Sequence, residues 1–212
     1  RVAKSANRQT ESCGQSYLMA NIFWPLLPAS LRAKFCRRIV VTGAESTGTT
    51  TLALMMAEAL NSPYVAEYGR EYTERRAKVT DEPWRTEELV EIAEEQNALE
   101  DAAARRSDNG LIIADTDALT TALWHERYFG SRSPAVDAVA AKQVRPFAYV
   151  LTSDDIAFEA DAIREGGEER HTMTTRFREE IIKSRVPWIE VRGSREERLT
   201  EALRFLCSLG VK

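Results

Sequence analysis

The sequence predicts a three-layer α/β fold, a five-stranded parallel sheet with helices on both faces. Three observations carry this prediction. Short β-branched runs alternate along the chain with stretches of helical periodicity. The first run, Ile39-Val40-Val41, passes through a glycine-bounded turn straight into a helical pattern, and a later run, Leu111 to Ala114, ends in Asp115-Thr116-Asp117. With 212 residues, 43% hydrophobic and 29% charged, the chain has the composition of a globular domain rather than of a disordered or membrane-embedded one.

Residues 1–35 read as an N-terminal extension or linker, and residues 36–212 as the domain. Because the chain opens on Arg1 rather than Met, it reads as a fragment of something longer. Tyr17 to Leu27 is an apolar run, but Asn21 and Pro25 interrupt it and no small-residue cleavage site follows. It is also shorter than the ~20 residues that span a bilayer. It reads as a linker or short helix packed on the domain, with Phe23 to Leu31 a candidate contact for a homo-oligomer. The formal net charge of −4 offers no basic excess for counterion displacement, which argues against direct nucleic-acid binding. Three cysteines, Cys13, Cys36 and Cys207, lack metal-type spacing and read as reduced thiols of a cytoplasmic protein.

The first strand is continuous and β-branched, as in a buried parallel strand. It leads into Gly43-Ala44-Glu45-Ser46-Thr47-Gly48, and then into a helix from Thr49 to Leu60 whose Leu52, Met55, Met56 and Leu60 recur at helical spacing as core packing. This is the layout of a phosphate-binding P-loop, GxxxxGK[ST]. Glycines let backbone amides turn inward, and the helix start adds unpaired N–H groups and a positive dipole end, so a polyphosphate is cradled. Gly43 to Thr51 are therefore the candidate ATP phosphate ligands, and Thr50 the candidate Mg²⁺ hydroxyl. At the lysine position stands Thr49, which brings no charge to the β- and γ-phosphates.

Further along, Tyr64-Val65-Ala66 reads as a second strand, followed by a polar cluster, Glu67 to Tyr72, at the strand end where open α/β sheets place ligands. A helix from Thr86 to Arg106 carries Gln96 on its apolar face, either as a ligand contact or as an amide satisfied by backbone. The third strand ends in Asp115, the Walker-B arrangement in which a carboxylate holds Mg²⁺ or its water. Thr120 to Phe129 continues as a helix closed by Gly130, with His125 a packing residue. Ser133-Pro134 reads as the capped start of a short helix, Phe147 to Leu151 and Pro187 to Val191 as the last two strands, and Ser194 to Glu197 as a capping box opening the final helix. Between those strands, residues 154–181 are rich in arginine and acid and enter a helix at about Thr172. That segment reads as an Arg-bearing lid, with Arg164 and Arg170 candidates for the charge missing at Thr49. Together these features predict a three-layer P-loop NTPase fold.

Four segments in order, GAESTGTTTLA, AEYGREYT, DTDALTTALWHERYFG and DAIREGGEERHTMTTRFREEI, resemble the kinase domain of NadR-type ribosylnicotinamide kinases. The resemblance implies transfer of the ATP γ-phosphate to the 5′-hydroxyl of nicotinamide riboside, with ATP and Mg²⁺ as cofactors and a small-molecule nucleoside as substrate. It implies that Thr50 and Asp115 serve the metal. It further implies that Glu67 or Asp117 contacts the ribose or accepts the hydroxyl proton, Glu67 being preferred. Arg70 would steady the substrate, and Arg164 and Arg170 would cover the phosphates. Ala66 stands where an aromatic residue would face the site, so either Tyr68, Trp84 or Trp124 stacks on the pyridinium ring or the substrate is a different nucleoside. A non-catalytic nucleotide sensor is the alternative that Thr49 favours, and a P-loop hydrolase a third.

Overall fold

A computed structural model describes residues 23–156 and 167–211. A 3-10 turn at Trp24–Leu26 and helix α1 (Ala29–Phe35) precede strand β1 (Arg37–Gly43), helix α2 (Thr49–Ala59), β2 (Tyr64–Val65), α3 (Tyr68–Arg76) and α4 (Thr86–Arg106). The chain continues through β3 (Leu111–Asp115), α5 (Ala118–Phe129), α6 (Pro134–Ala140) and β4 (Ala148–Thr152), then α7 (Gly167–Ser184), β5 (Trp188–Val191) and α8 (Arg195–Ser208). The five strands form one parallel sheet in the order β2-β3-β1-β4-β5.

Alternation along β1 sorts the core. Ile39 and Val41, fully buried, face α2 and α8 through Leu52, Met56, Ala202 and Leu206. Val40 faces the other side, where Ala104, Leu123, Phe177 and Ile181 from α4, α5 and α7 close the third layer. Each large apolar side chain among these contributes roughly 1.5–3 kcal/mol on burial. A third cluster, including Leu89, Ile92, Ala122 and Val136, packs α6 against α4 and α5. Trp24 is buried on this body, and its indole N–H donates to the Ser107 carbonyl at 2.7 Å. Residues 23–35 are therefore docked on the end of α4, while Phe23, Leu26 and Phe35 remain exposed.

Register brings the strand ends together: Val41 lies beside Asp115, Gly43 beside Thr152, and Val65 beside Ala114. The loops after β1, β2, β3 and β4 thus leave from one edge of the sheet, with a switch of direction between β3 and β4 on either side of β1.

Several boundaries differ from the sequence reading. The polar cluster after β2 is a helix, α3, which buries no residue and so gives no apolar periodicity to read. Glu71 in its first turn and Arg75 and Arg76 in its last suit the helix dipole. Helix α5 begins at Ala118, because Asp117 caps it. Helix α7 begins at Gly167 rather than near Thr172. Ser133 occupies the N-cap of α6, yet its side chain makes no capping bond. The capping box of α8 is formed as expected, Ser194 Oγ accepting from the Glu197 N–H and Glu197 Oε2 from the Ser194 N–H. His125 is buried against Phe129, ring centroids 4.2 Å apart.

Candidate active site

The turn after β1 is shaped by its own side chains. Gly43 has no room for a side chain, since a Cβ there would meet Thr152 Oγ1 at 2.2 Å and Thr47 Oγ1 at 2.7 Å. Thr47, fully buried, donates its hydroxyl to the Ala44 carbonyl at 2.6 Å and lies 2.7 Å from the Thr152 hydroxyl. Gly48 holds φ +82°, and even Ser46 is left-handed at φ +55°. Such a turn aims successive N–H groups into one concavity at the start of α2.

Two clefts flank this turn. One encloses about 940 Å³, part of it open to solvent, and is lined by Gly43 to Ser46, Thr49 and Thr50 on one wall. Glu67 and Arg70 from the β2 end, and Trp84, Trp124 and Tyr128, form the rest. The other, about 1250 Å³ with open solvent included, lies behind the turn between Gly48 to Leu52 and the β5–α8 loop, Gly193 to Arg198. Met55, read as core, lines this second cleft, while Met56 is buried as expected.

The aromatic wall is continuous. Trp84 and Tyr128 stack with ring centroids 5.6 Å apart and planes 2° apart, and Trp124 lies 6.1 Å from Tyr128. Tyr128 is four residues after Trp124, one turn on along α5, a spacing that points both rings to one side. Its role was nevertheless missed in the sequence. Tyr68, a stacking candidate, faces away: its phenol accepts from Arg75 Nη2 at 3.0 Å and its ring packs edge-on against Tyr72.

Asp115 is 1% exposed beneath the start of α2. Burial pushes its carboxyl above the usual range, while the Thr50 and Tyr64 hydroxyls, the Arg70 charge and the Thr49 hydroxyl pull the other way. Tyr64 donates to Oδ2 at 3.2 Å, and Oδ1 is buried without a hydrogen-bond partner. A buried, unsatisfied carboxylate oxygen next to a P-loop hydroxyl is the donor set a hard cation with retained waters requires, so Thr50 and Asp115 fit Mg²⁺.

Of two expected substrate contacts, the structure turns Asp117 inward and leaves Gln96 at the cleft. Asp117 is 1% exposed, and both oxygens are engaged inside the protein. Oδ1 caps α5 through the Thr120 N–H at 3.0 Å, and Oδ2 accepts from the Tyr149 phenol at 2.6 Å and from Gln143 Nε2 at 3.2 Å. A strand that runs directly into a helix needs a cap at that position, and Asp117 provides it. Gln96, 2% exposed, borders the cleft: its Oε1 accepts the Tyr68 N–H at 2.9 Å and so seats α3, while its buried Nε2 has no hydrogen-bond partner and stays a candidate ligand contact.

Arg170 was expected over the phosphates, but its Nη2 donates to the carbonyls of Asp154 and Ile156 at 2.8 and 2.6 Å, and it lines neither cleft. Arg164 lies outside the described residues. Arg198, which the sequence reading passed over, is 3% exposed on the inward face of α8. It donates to the carbonyls of Gly193, Thr47 and Ser153 at 2.9, 2.5 and 3.2 Å, and to Asp155 at 2.5 Å. Its signal was an arginine in register with Ala202 and Leu206 on the buried stripe.

No helix among the described residues is long and apolar enough to cross a membrane. Comparison with known proteins agrees with this architecture. A protein-family model described as an AAA domain matches residues 38–198. The trifunctional NAD biosynthesis/regulator protein NadR of Escherichia coli is 26% identical over 145 residues, covering 68% of this chain and 35% of that protein. NadR of Salmonella typhimurium matches to the same extent, so the chain spans about a third of the length of these curated relatives.

A crystal structure of NadR in complex with NAD and AMP-PNP superposes with a TM-score of 0.74 at 21% identity, over 91% of this chain and 55% of that one. A NadR complex with NR gives 0.70 at 22% identity, over 86% and 54%. Thymidylate kinase from Ehrlichia chaffeensis gives 0.59 at 14% identity, over 81% and 98%. With its P-loop fold matched over residues 38–198, the chain belongs to the AAA-domain family.

Proposed function

We propose that the chain is an ATP-dependent nucleoside kinase, with nicotinamide riboside as the substrate best supported and nicotinamide mononucleotide as product. The observation that carries this is the pair of clefts sharing one phosphate-binding turn, one of them walled by aromatic rings and a strand-end carboxylate. That division gives a donor nucleotide one side of the turn and a planar-ringed acceptor the other. Support also comes from the NadR complexes with NR and with NAD and AMP-PNP.

In this reading the inward N–H groups of residues 44–50 and the dipole of α2 hold the triphosphate. Thr50 and Asp115 hold Mg²⁺, which when bound neutralises charge on the phosphate oxygens. Trp84, Trp124 and Tyr128 stack on the base and fix the ribose beneath it. Glu67 aligns the 5′-hydroxyl and takes its proton. Positioning and charge do most of the work, since the transferring phosphoryl group demands little covalent help.

Incubation with Mg-ATP and a panel of nucleosides, read by mass for monophosphates, tests the proposal. The expected result is nicotinamide mononucleotide. Nucleotide binding without any monophosphate would overturn it in favour of the sensor reading, which Thr49 at the lysine position supports. Free phosphate released without acceptor would favour a hydrolase.

A further inference from the structure

A P-loop without its lysine needs another source of positive charge at the transferring phosphate. The described arginines near the turn divide by where they point. Arg198 is held by three backbone carbonyls and Asp155, and Arg170, whose Nη2 donates to two carbonyls, lines neither cleft. Arg195 lies in the donor-side cleft. Arg70 is the described cation that lines the cleft shared by Ser46, Thr49, Thr50 and Glu67.

It sits in the first turn of α3, opposite the phosphate turn, and Nε pairs with Glu74 Oε1 at 3.1 Å, one helical turn on. Both side chains of that pair are partly exposed, 39% and 48%, so this bond contributes little to holding Arg70 in place. The Arg70 charge already reaches the carboxyl of Asp115, which lies under Thr50. A guanidinium fork also matches phosphate oxygens better than a point charge does.

We propose that Arg70 is a catalytic residue that contacts the transferring phosphoryl group from the acceptor side and supplies the charge that Thr49 lacks. The inference rests on the kinase reading above. In the step it serves, the bond from the γ-phosphorus to the bridging oxygen of ATP breaks and ADP leaves with the electron pair. The 5′-oxygen of the nucleoside bonds to phosphorus, and its proton passes to Glu67.

A charge-transplant experiment tests this. Arg70→Gln, Arg70→Lys, Thr49→Lys and the double variant Thr49→Lys/Arg70→Gln are compared, with melting curves to verify folding. Two quantities are read: kcat and KM for nicotinamide riboside, and affinity for Mg-ADP with aluminium fluoride, a mimic of the transferring phosphoryl group. Arg70→Gln is expected to lower kcat by about a hundredfold or more with KM little changed, and to weaken the mimic by about tenfold or more without weakening ADP alone. Arg70→Lys retains part of both. The double variant recovers at least about tenfold of the loss, because a lysine at 49 makes Arg70 dispensable.

Unchanged mimic affinity in Arg70→Gln overturns the proposal. So does a loss that Thr49→Lys does not recover, or one confined to KM, which makes Arg70 a nucleoside contact. The mimic needs no acceptor, so a wild-type protein that phosphorylates no nucleoside defeats the kinase reading while the mimic affinities still decide the role of Arg70.

Discussion

Arg198 Nη1 donates to the carbonyl oxygen of Thr47 at 2.5 Å, joining the last helix to the phosphate-binding turn across 151 positions of sequence. The same guanidinium holds the Gly193 and Ser153 carbonyls and the Asp155 carboxylate. One buried cation thus fixes three loops that frame the donor-side cleft. Pinning the Thr47 carbonyl fixes the turn in advance, as a preorganised anion site requires.

Arg198→Ala should therefore destabilise the fold by about 3–5 kcal/mol, because it strands a partly buried carboxylate and three carbonyls. Arg198→Lys should lose less stability, since the ammonium keeps the charge but not the fork. Urea unfolding checks both, and nucleotide titration of the lysine variant should show weakened ATP affinity at full folding.

Stacking predicts a separation of the two substrates. Trp124→Ala and Trp84→Ala should each raise the KM for the nucleoside by about tenfold, the equivalent of about 1–1.5 kcal/mol of ring contact. ATP affinity should stay within about twofold, because neither ring lines the donor-side cleft. Steady-state kinetics with each substrate varied in turn measures this.

Glu67→Gln should lower kcat without impairing ATP binding, since Glu67 lines the acceptor cleft alone. Asp117→Asn should behave differently. Its carboxylate caps α5 and accepts from Tyr149, so the expected outcome is lost stability of about 1–3 kcal/mol. Comparing unfolding midpoints with kcat for the two variants distinguishes the carboxylate at the site from the one behind it.

Glu100 predicts a pH signature. It is 2% exposed, and burial, with Asp117 adding to it, pushes its carboxyl up to about 8 against the pull of Arg38, 3.5 Å away. A carboxyl whose folded value is raised contributes stability that is complete below its unfolded value and is lost as pH climbs through the folded one. The protein should thus lose stability between about pH 4.5 and 8. Glu100→Gln should flatten that decline, leaving Arg38 paired with Asp101 at 2.5 Å. Urea midpoints at pH 5, 7 and 9 for the two proteins test the sign.

The parts of the site that were legible in the sequence are those written in contiguous chemistry. The strand, glycine turn and helix from Ile39 to Leu60 announce themselves by β-branching, glycine spacing and helical periodicity, and Asp115 by its place after four apolar residues. What stayed hidden depends on partners distant in sequence. Whether Asp117 faces ligand or protein is decided by Tyr149 and Gln143, and the task of Gln96 by the start of α3. Helix α3 left no hydrophobic signal because it buries no residue. Arg198 could have been suspected, since an arginine on a buried helical stripe demands acceptors, but the Thr47 carbonyl as one of them is a tertiary fact.

The central claim is that backbone amides from Ala44 to Thr50 wrap a nucleotide triphosphate. Hydrogen exchange with and without Mg–AMP-PNP addresses it most directly. Slowed exchange across residues 44–50, together with the Gly193–Arg198 edge, is the predicted result. Saturating nucleotide that leaves those amides exchanging as before, or that protects another surface instead, would contradict it.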